Sequence, residues 1–229
     1  MTDGSTTARL SWLQLQDGTF PSGRFVHSNG VEAWLDHHRS AGADDVAALA
    51  RTHVGALVGP LDAVVLAHAW DATGADDLHD LDRLLTAHKT SASARTASQA
   101  CGRQLAATAL RVFGSALRQE FLLAVTGGRA EGNQAVVEGA VLRDLGVGRT
   151  DAVLGFLRSA HAGLLSAAVR LGRLGPIAAQ RALFEDGPFL LEVAERSATT
   201  VLHDLGSSGP ELEIFSMRHE RSTARLFTT

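Results

Sequence analysis

The sequence predicts an all-α fold, a single compact multi-helix domain of about nine or ten helices with a flexible C-terminal tail. Apolar residues recur at spacings of three and four along most of the chain, the period of one helix face. Glycine and proline pairs (Gly59-Pro60, Gly127-Gly128, Gly175-Pro176, Gly187-Pro188) cut those stripes at short intervals. No alternating run reaches the length of a strand.

Taken in order, residues 10–16 form a first helical piece that ends in Asp17-Gly18-Thr19-Phe20-Pro21-Ser22-Gly23. Pro21 biases Phe20 to an extended backbone, and Phe20 and Phe25 are expected to plug into the core. Val31, Trp34 and Leu35 give one face of a short helix reaching about His38. Val46, Leu49, Ala50, His53 and Leu57 share the next face, with Asp44 as its cap and Gly59-Pro60 as its stop. Leu61, Val64, Val65 and His68 follow, then Leu78, Leu81, Leu85 and His88, the latter helix opened by Asp76 and Asp77 where the dipole favours negative charge. Between residues 91 and 112 the inward positions are small (Ala97, Cys101, Leu105, Thr108, Val112), which allows two helix axes to approach closely. That helix belongs either at the centre of the domain or in a self-association interface. Leu117, Phe121 and Leu122 continue the pattern; Val137, Ala140, Val141 and Leu145 form another helix, and Thr150 or Asp151 caps the longest stripe, Leu154 to Leu171 through His161, Leu164 and Ala168. The last long helix is expected over residues 189–204, burying Leu190, Val193, Ala194, Ser197 and Val201.

Composition bounds the function. The chain has 229 residues, 45% hydrophobic and 20% charged, an ordinary globular balance able to bury a core. Its net charge is −4, and Lys89 is the sole lysine; no basic stripe suits a run of phosphates, so nucleic acid is not an expected partner. The single cysteine, Cys101, allows no internal disulfide and fits a reducing compartment. Without a cationic-then-apolar leader, and with no uncharged apolar stretch of about 18 residues, the reading is cytoplasmic and off the membrane.

Little catalytic chemistry is visible. Lys89 lacks the preceding glycines of a phosphate loop, and Gly146-Val147-Gly148 lacks the third glycine of a dinucleotide fingerprint. His37 and His38 are adjacent on a helix and point about 100° apart, a poor arrangement for one ion. His53, His68, His88 and His161 lie on apolar stripes, where a hydrogen-bonded core histidine is the commoner arrangement. No catalytic, cofactor or metal-ligand residue is assigned. The rival from another class is a helical metal-dependent phosphohydrolase using the doublets His79-Asp80 and His203-Asp204. A third reading is a generic helical adaptor.

The tail departs from the usual character of chain ends. After Gly206-Ser207-Ser208-Gly209-Pro210, Ile214, Phe215, Met217, Leu226 and Phe227 are interleaved with Arg218, Arg221 and Arg225. Such a mixture suits a surface buried against something else, either this chain's own domain or a partner. The division that follows is a helical domain over 1–206 and a linker with a docking tail over 207–229.

Two blocks at opposite ends carry a resemblance. Ser216-Met217-Arg218-His219-Glu220, followed by Ala224-Arg225-Leu226-Phe227, resembles the terminal signature of the UreF family of urease accessory proteins. Phe20-Pro21, Gly23, Phe25, His27-Ser28, Gly30 and Glu32 resemble that family's N-terminal pattern. Arg95, Ala97-Ser98 and Gly102-Arg103 resemble a middle one, as do Arg170-Leu171, Leu174-Gly175 and Gln180. Departures stand at Ser93-Ala94, where an acidic residue is usual, at Gln134 and Pro176, and at Thr223 in place of a tyrosine.

The resemblance implies an all-helical homodimer, not itself an enzyme and without a cofactor. It would join UreD (also called UreH) and the GTPase UreG, deliver nickel to apo-urease and modulate the GTPase cycle. It makes Ser216, Met217, Arg218, His219, Glu220, Arg225, Leu226 and Phe227 the partner-docking set. His27 is the candidate nickel-path or partner contact; the alternative is a ring nitrogen that caps the following helix or satisfies a buried carbonyl. Glu32 is a second candidate contact, or the carboxylate favoured by its own helix's N-terminus.

Overall fold

The computed structural model describes residues 4–114, 118–219, 226 and 227, without the side chains of Phe25 and His219. Leu117, Glu220, Arg221, Thr223, Ala224 and Arg225 therefore lie outside the described residues. The elements are α1 (Gly4–Gln16), α2 (Val31–His37), α3 (Ala43–Thr52), a π-helical segment (His53–Ala63), α4 (Val64–Asp71), α5 (Ala75–His88), α6 (Ala92–Val112), α7 (Gln119–Thr126), α8 (Gln134–Asp144), α9 (Arg149–Arg170), α10 (Pro176–Glu185), α11 (Gly187–Thr199) and α12 (Pro210–His219). Short 3-10 turns lie at Arg24–Val26 and Leu202–Asp204, and no strand occurs among the described residues.

The helices surround α8, whose residues from Ala135 to Leu142 are all buried. The small-residue face of α6 does lie at the centre, where it packs on α8 and α7. A Cβ on Gly102 would stand 1.9 Å from the carbonyl oxygen of Gly132, so only glycine lets α6 cross the entry to α8 at this distance. The same entry is fixed by the buried Asp82 of α5, whose carboxylate accepts the amides of Gly132 (2.7 Å) and Asn133 (2.8 Å) and the Asn133 side-chain amide (2.8 Å). Phe20 plugs into this core, stacked on Phe113 at 5.9 Å. A second apolar cluster joins α2, α3, the end of α9, α10 and α12 through Val31, Trp34, Leu35, Leu164, Leu212 and Phe215. By length and hydropathy the rod Ala43–Asp71 and α9 could each cross a membrane, but more than half of each apolar window is buried inside the body.

Val112, expected on the inward face of α6, is 51% exposed because it is the last residue of that helix. Three further local expectations are corrected. Gly59-Pro60 does not stop a helix: the chain runs on in wide π turns from α3 into α4. Proline removes the amide that the Ala56 carbonyl would receive in an α-helix. Here Ala56 accepts the Ser208 amide at 2.8 Å, Gly59 accepts the Ser197 hydroxyl at 2.9 Å, and Pro60 accepts the Gly206 amide at 3.4 Å. Second, α11 ends at Thr199, and Val201 is 54% exposed rather than buried. The hydroxyls of Thr199 and Thr200 both turn back onto the Arg196 carbonyl, at 3.1 and 2.8 Å, which competes with a further helical turn. Third, the carboxylate that closes the start of α3 is Asp45, accepting the Gly42 amide at 2.8 Å, rather than Asp44.

Candidate functional site

The N-terminal block is a loop tied down locally and then aimed at the tail. Asp17 accepts the amide (2.7 Å) and hydroxyl (2.6 Å) of Thr19, which closes the turn before Phe20. Asn29 (φ 52°) and Gly30 (φ 85°) adopt the left-handed conformation in succession and start α2. At Gly30 a Cβ would lie 2.9 Å from the Leu212 oxygen and 3.0 Å from the Ser216 nitrogen. Glycine here therefore serves two needs at once, the backbone angle and the seating of α12 against the start of α2.

Glu32, in the first turn of α2, is buried and accepts the backbone amides of Leu226 (2.7 Å) and Phe227 (3.1 Å). Of the two sequence readings of Glu32, the geometry bears out the carboxylate at its own helix N-terminus, which here also grips the chain end of the same molecule. Phe227 is 3% exposed, with the Arg170 guanidinium 4.3 Å over its ring. The blocks that lie at opposite ends of the sequence thus touch.

Along α12 the inner face is Leu212 and Phe215, both buried. The His37-His38 doublet forms part of their seat: the two rings lie 5.4 and 5.6 Å from that of Phe215, and His38 stacks on Trp34 at 4.4 Å. Trp34 donates its indole N–H to Glu211 at 2.9 Å. Ser216 shares a 2.7 Å hydrogen bond with Ser93, the position where an acidic residue was expected, and Thr90 donates to Glu213 at 2.7 Å. The outer face carries Ile214, Met217 (41% exposed) and Arg218, with Leu226 (65% exposed) beyond it. His219 closes the helix.

Behind α12 lies a cavity of about 180 Å³, bounded by the π segment, α6, α9 and the 207–216 stretch. His27 is in its wall, buried, and burial lowers its pKa so that the ring is neutral at pH 7. His53 faces the same space; burial pushes it down to about 4, against the opposing pull of Asp62, and its Nδ1 has no protein partner. Lys89 and Asp62 form a largely buried ion pair at 2.7 Å. Burial pushes the Cys101 thiol up to about 11, so it stays protonated and unreactive at neutral pH. Gln134 also lines the cavity, and its side-chain amide donates to the buried Glu138 at 3.2 Å.

Two other histidines are tied into the scaffold. His161 Nε2 is 2.9 Å from Asp186, a residue that also pairs with Arg51, and His68 Nε2 lies 3.0 Å from the Thr200 oxygen. Among the described residues no group of three or more His, Cys, Asp or Glu side chains is placed to hold a metal ion. His79 packs edge-on against Phe121 at 5.3 Å, Asp80 pairs with Arg83, and His203 and Asp204 sit exposed on the 3-10 turn, so the phosphohydrolase reading gains no support from geometry. Sequence reasoning missed Asp82 and Glu138, which are held by residues distant in the chain, Gly132 and Asn133 for the first and Gln16 and Arg24 for the second. It also missed the cavity, because the π segment that walls it was read as two helices.

A family model described as UreF matches residues 31–185, more than half of the chain. The chain is 32% identical over 219 residues to the urease accessory protein UreF of Arthrobacter sp. (strain FB24), covering 96% of each. It is 31% identical over 225 residues to that of Paenarthrobacter aurescens (strain TC1), covering 97% of this chain and 99% of the relative. With the UreF of Bacillus sp. (strain TB-90) the identity is 29% over 222 residues, covering 95% and 97%.

Proposed function

The chain belongs to the UreF family of urease accessory proteins, and from that premise we propose that it is a non-catalytic bridging subunit of the urease maturation complex. In this reading it binds UreD/UreH through its C-terminal segment, recruits UreG, acts as a homodimer in the cytoplasm, and assists nickel insertion into apo-urease. The observation that carries the proposal is the split character of the tail. Leu212, Phe215 and Phe227 hold it to the body, while Ile214, Met217, Arg218 and Leu226 face outward without being part of the core. Large apolar groups around an arginine are the composition of a protein-docking surface rather than of a solvated end. Of the predicted docking set, Met217, Arg218 and Leu226 are the outward members, Ser216 is turned toward Ser93, and Glu220 and Arg225 fall outside the described residues. His27 is a cavity-wall residue, and a place on a nickel path would require the ion to pass through that cavity.

Co-purification with UreD/UreH and UreG from one cell, read by mass, tests the reading. The full chain is expected to capture both, and Arg218→Ala to weaken UreD/UreH binding about tenfold, as loss of an interface arginine does, with a melting temperature within about 2 °C of the unsubstituted chain. If the full chain captures neither partner, or Arg218→Ala lowers the melting temperature without changing capture, the bridging role fails.

A further inference from the structure

We propose that the cavity behind α12 binds a small, singly charged oxyanion of the carboxylate type at the start of α6. The cavity lies where that helix begins: Thr90, Ser91, Ser93 and Ala94 form part of its wall, and Ser98 continues it one turn further on. It opens to solvent on one side, so an ion enters with the C-terminal segment in place. Its volume of about 180 Å³ gives room for a small ion and a few waters.

Two independent features call for an acceptor in this space. The first is the helix itself. α6 has 21 residues and no acidic residue in its first turn, so the positive end of its dipole meets no carboxylate of its own helix. Its cap, Ser91, satisfies one amide of that turn, that of Ala94, at 3.1 Å. The second is His53, which reaches the opposite wall from the π segment. It is 8% exposed, and its Nδ1 has no hydrogen-bond partner among the described residues. A buried ring nitrogen is ordinarily hydrogen-bonded, and this ring, kept neutral by burial, can offer an N–H without adding charge.

The remaining wall is rich in donors. Asp62 takes one of the Lys89 ammonium hydrogens, at 2.7 Å, and the others are available to a ligand. Ser98 accepts the Gln134 amide at 3.3 Å, which leaves its own hydroxyl hydrogen to donate. Arg24 pairs with the buried Glu138 at 3.4 Å, and its Nε has no hydrogen-bond partner among the described residues. The charges limit the ligand. Asp62 and Glu138 match Lys89 and Arg24, while Glu213, held by Thr90, is offset by Arg95, whose guanidinium donates to the Lys89 and Thr90 carbonyls. The helix dipole therefore leaves a place for one negative charge and not for two. The inference stands on the cavity alone, and its test contains no partner protein.

The full-length chain is titrated with sodium acetate at constant ionic strength and binding is read by calorimetry. Acetate should bind saturably, and sulfate at least about tenfold more weakly, because its second charge finds no counterpart. Lys89→Gln should weaken acetate binding about tenfold, and Asp62→Asn, which removes the competing carboxylate with little change of shape, should strengthen it about tenfold. A damaged fold does not bind more tightly, so the gain in Asp62→Asn separates a binding role from a structural one. His53→Phe should weaken acetate binding about fivefold by removing the ring N–H. Absence of saturable acetate binding, sulfate binding as tightly as acetate, or the Lys89 and Asp62 substitutions moving affinity in the same direction would each overturn the site.

Discussion

The entry to α8 and the seat of α12 are both places where distant parts of the chain meet, yet they are held by different means. At the first, Gly102 lies under the Gly132 carbonyl and a buried carboxylate takes three N–H donors, so shape and hydrogen bonding leave no second arrangement. At the second, α12 lies on the Gly30 backbone and packs Leu212 and Phe215 against the α2 side, with polar contacts to Trp34, Thr90 and Ser93 around that apolar seat. Buried charge and backbone contact fix the first, whereas the second is held by apolar side chains with polar contacts at their rim.

The sharpest way to break the comparison is Gly102→Ala. A methyl group 1.9 Å from a backbone oxygen forces the α6 and α8 elements apart, and a loss of about 3 kcal/mol or failure to fold is expected, since overpacking at backbone cannot be relieved by a rotamer change. Urea unfolding of the variant measures it; a shift below half that size would mean the crossing is looser than it looks.

Acid probes the cavity that separates the two regions. His53 has a folded-state pKa of about 4 against an ordinary value of 6.5, so between these values the unfolded chain binds the extra proton. Stability is thus fully present above about pH 6.5 and falls as pH drops toward 4, by up to about 3 kcal/mol. The buried His27 and His161 act in the same direction. Thermal melts from pH 7.5 to 4.5 should show the decline, and His53→Gln should flatten it; an unchanged slope would mean that other groups control acid stability.

Removing Asp82 as Asp82→Ala should cost about 2 kcal/mol by leaving buried N–H donors without an acceptor. The seat of α12 should respond differently to accumulated damage. Leu212→Ala and Phe215→Ala made together should lower global stability by less than the sum of the two alone, because both side chains belong to one apolar cluster and share its neighbours. Additive losses in urea unfolding would instead mean that the two side chains act independently. Smallest of all is Glu213→Ala, expected within about 0.5 kcal/mol because its partner Thr90 is at the surface.

The helical periods, the central place of the small-residue face of α6, and the apolar inward residues of α5, of α6 apart from Val112, and of α9 were legible in the sequence, because each depends on side-chain spacing within one element. So was the resemblance of the two end blocks to one family, since motifs are local strings. That Glu32 grips Leu226 and Phe227, that His37 and His38 seat Phe215, and that Asp82 organises the entry to α8 depended on contacts across more than 45 positions of chain. Spacing carries no information about such contacts. The fate of Gly59-Pro60 shows the division most clearly. Locally the pair reads as a stop, since proline strips one carbonyl of its donor; only in the folded chain does Ser208, just ahead of α12, arrive to supply a replacement. Sequence by itself determined which segments are helical and which faces are apolar, through the 3.6-residue period and side-chain transfer energies. Tertiary structure decided which of those faces meet and where the cavity lies, because close packing and buried hydrogen bonds are properties of pairs of distant residues.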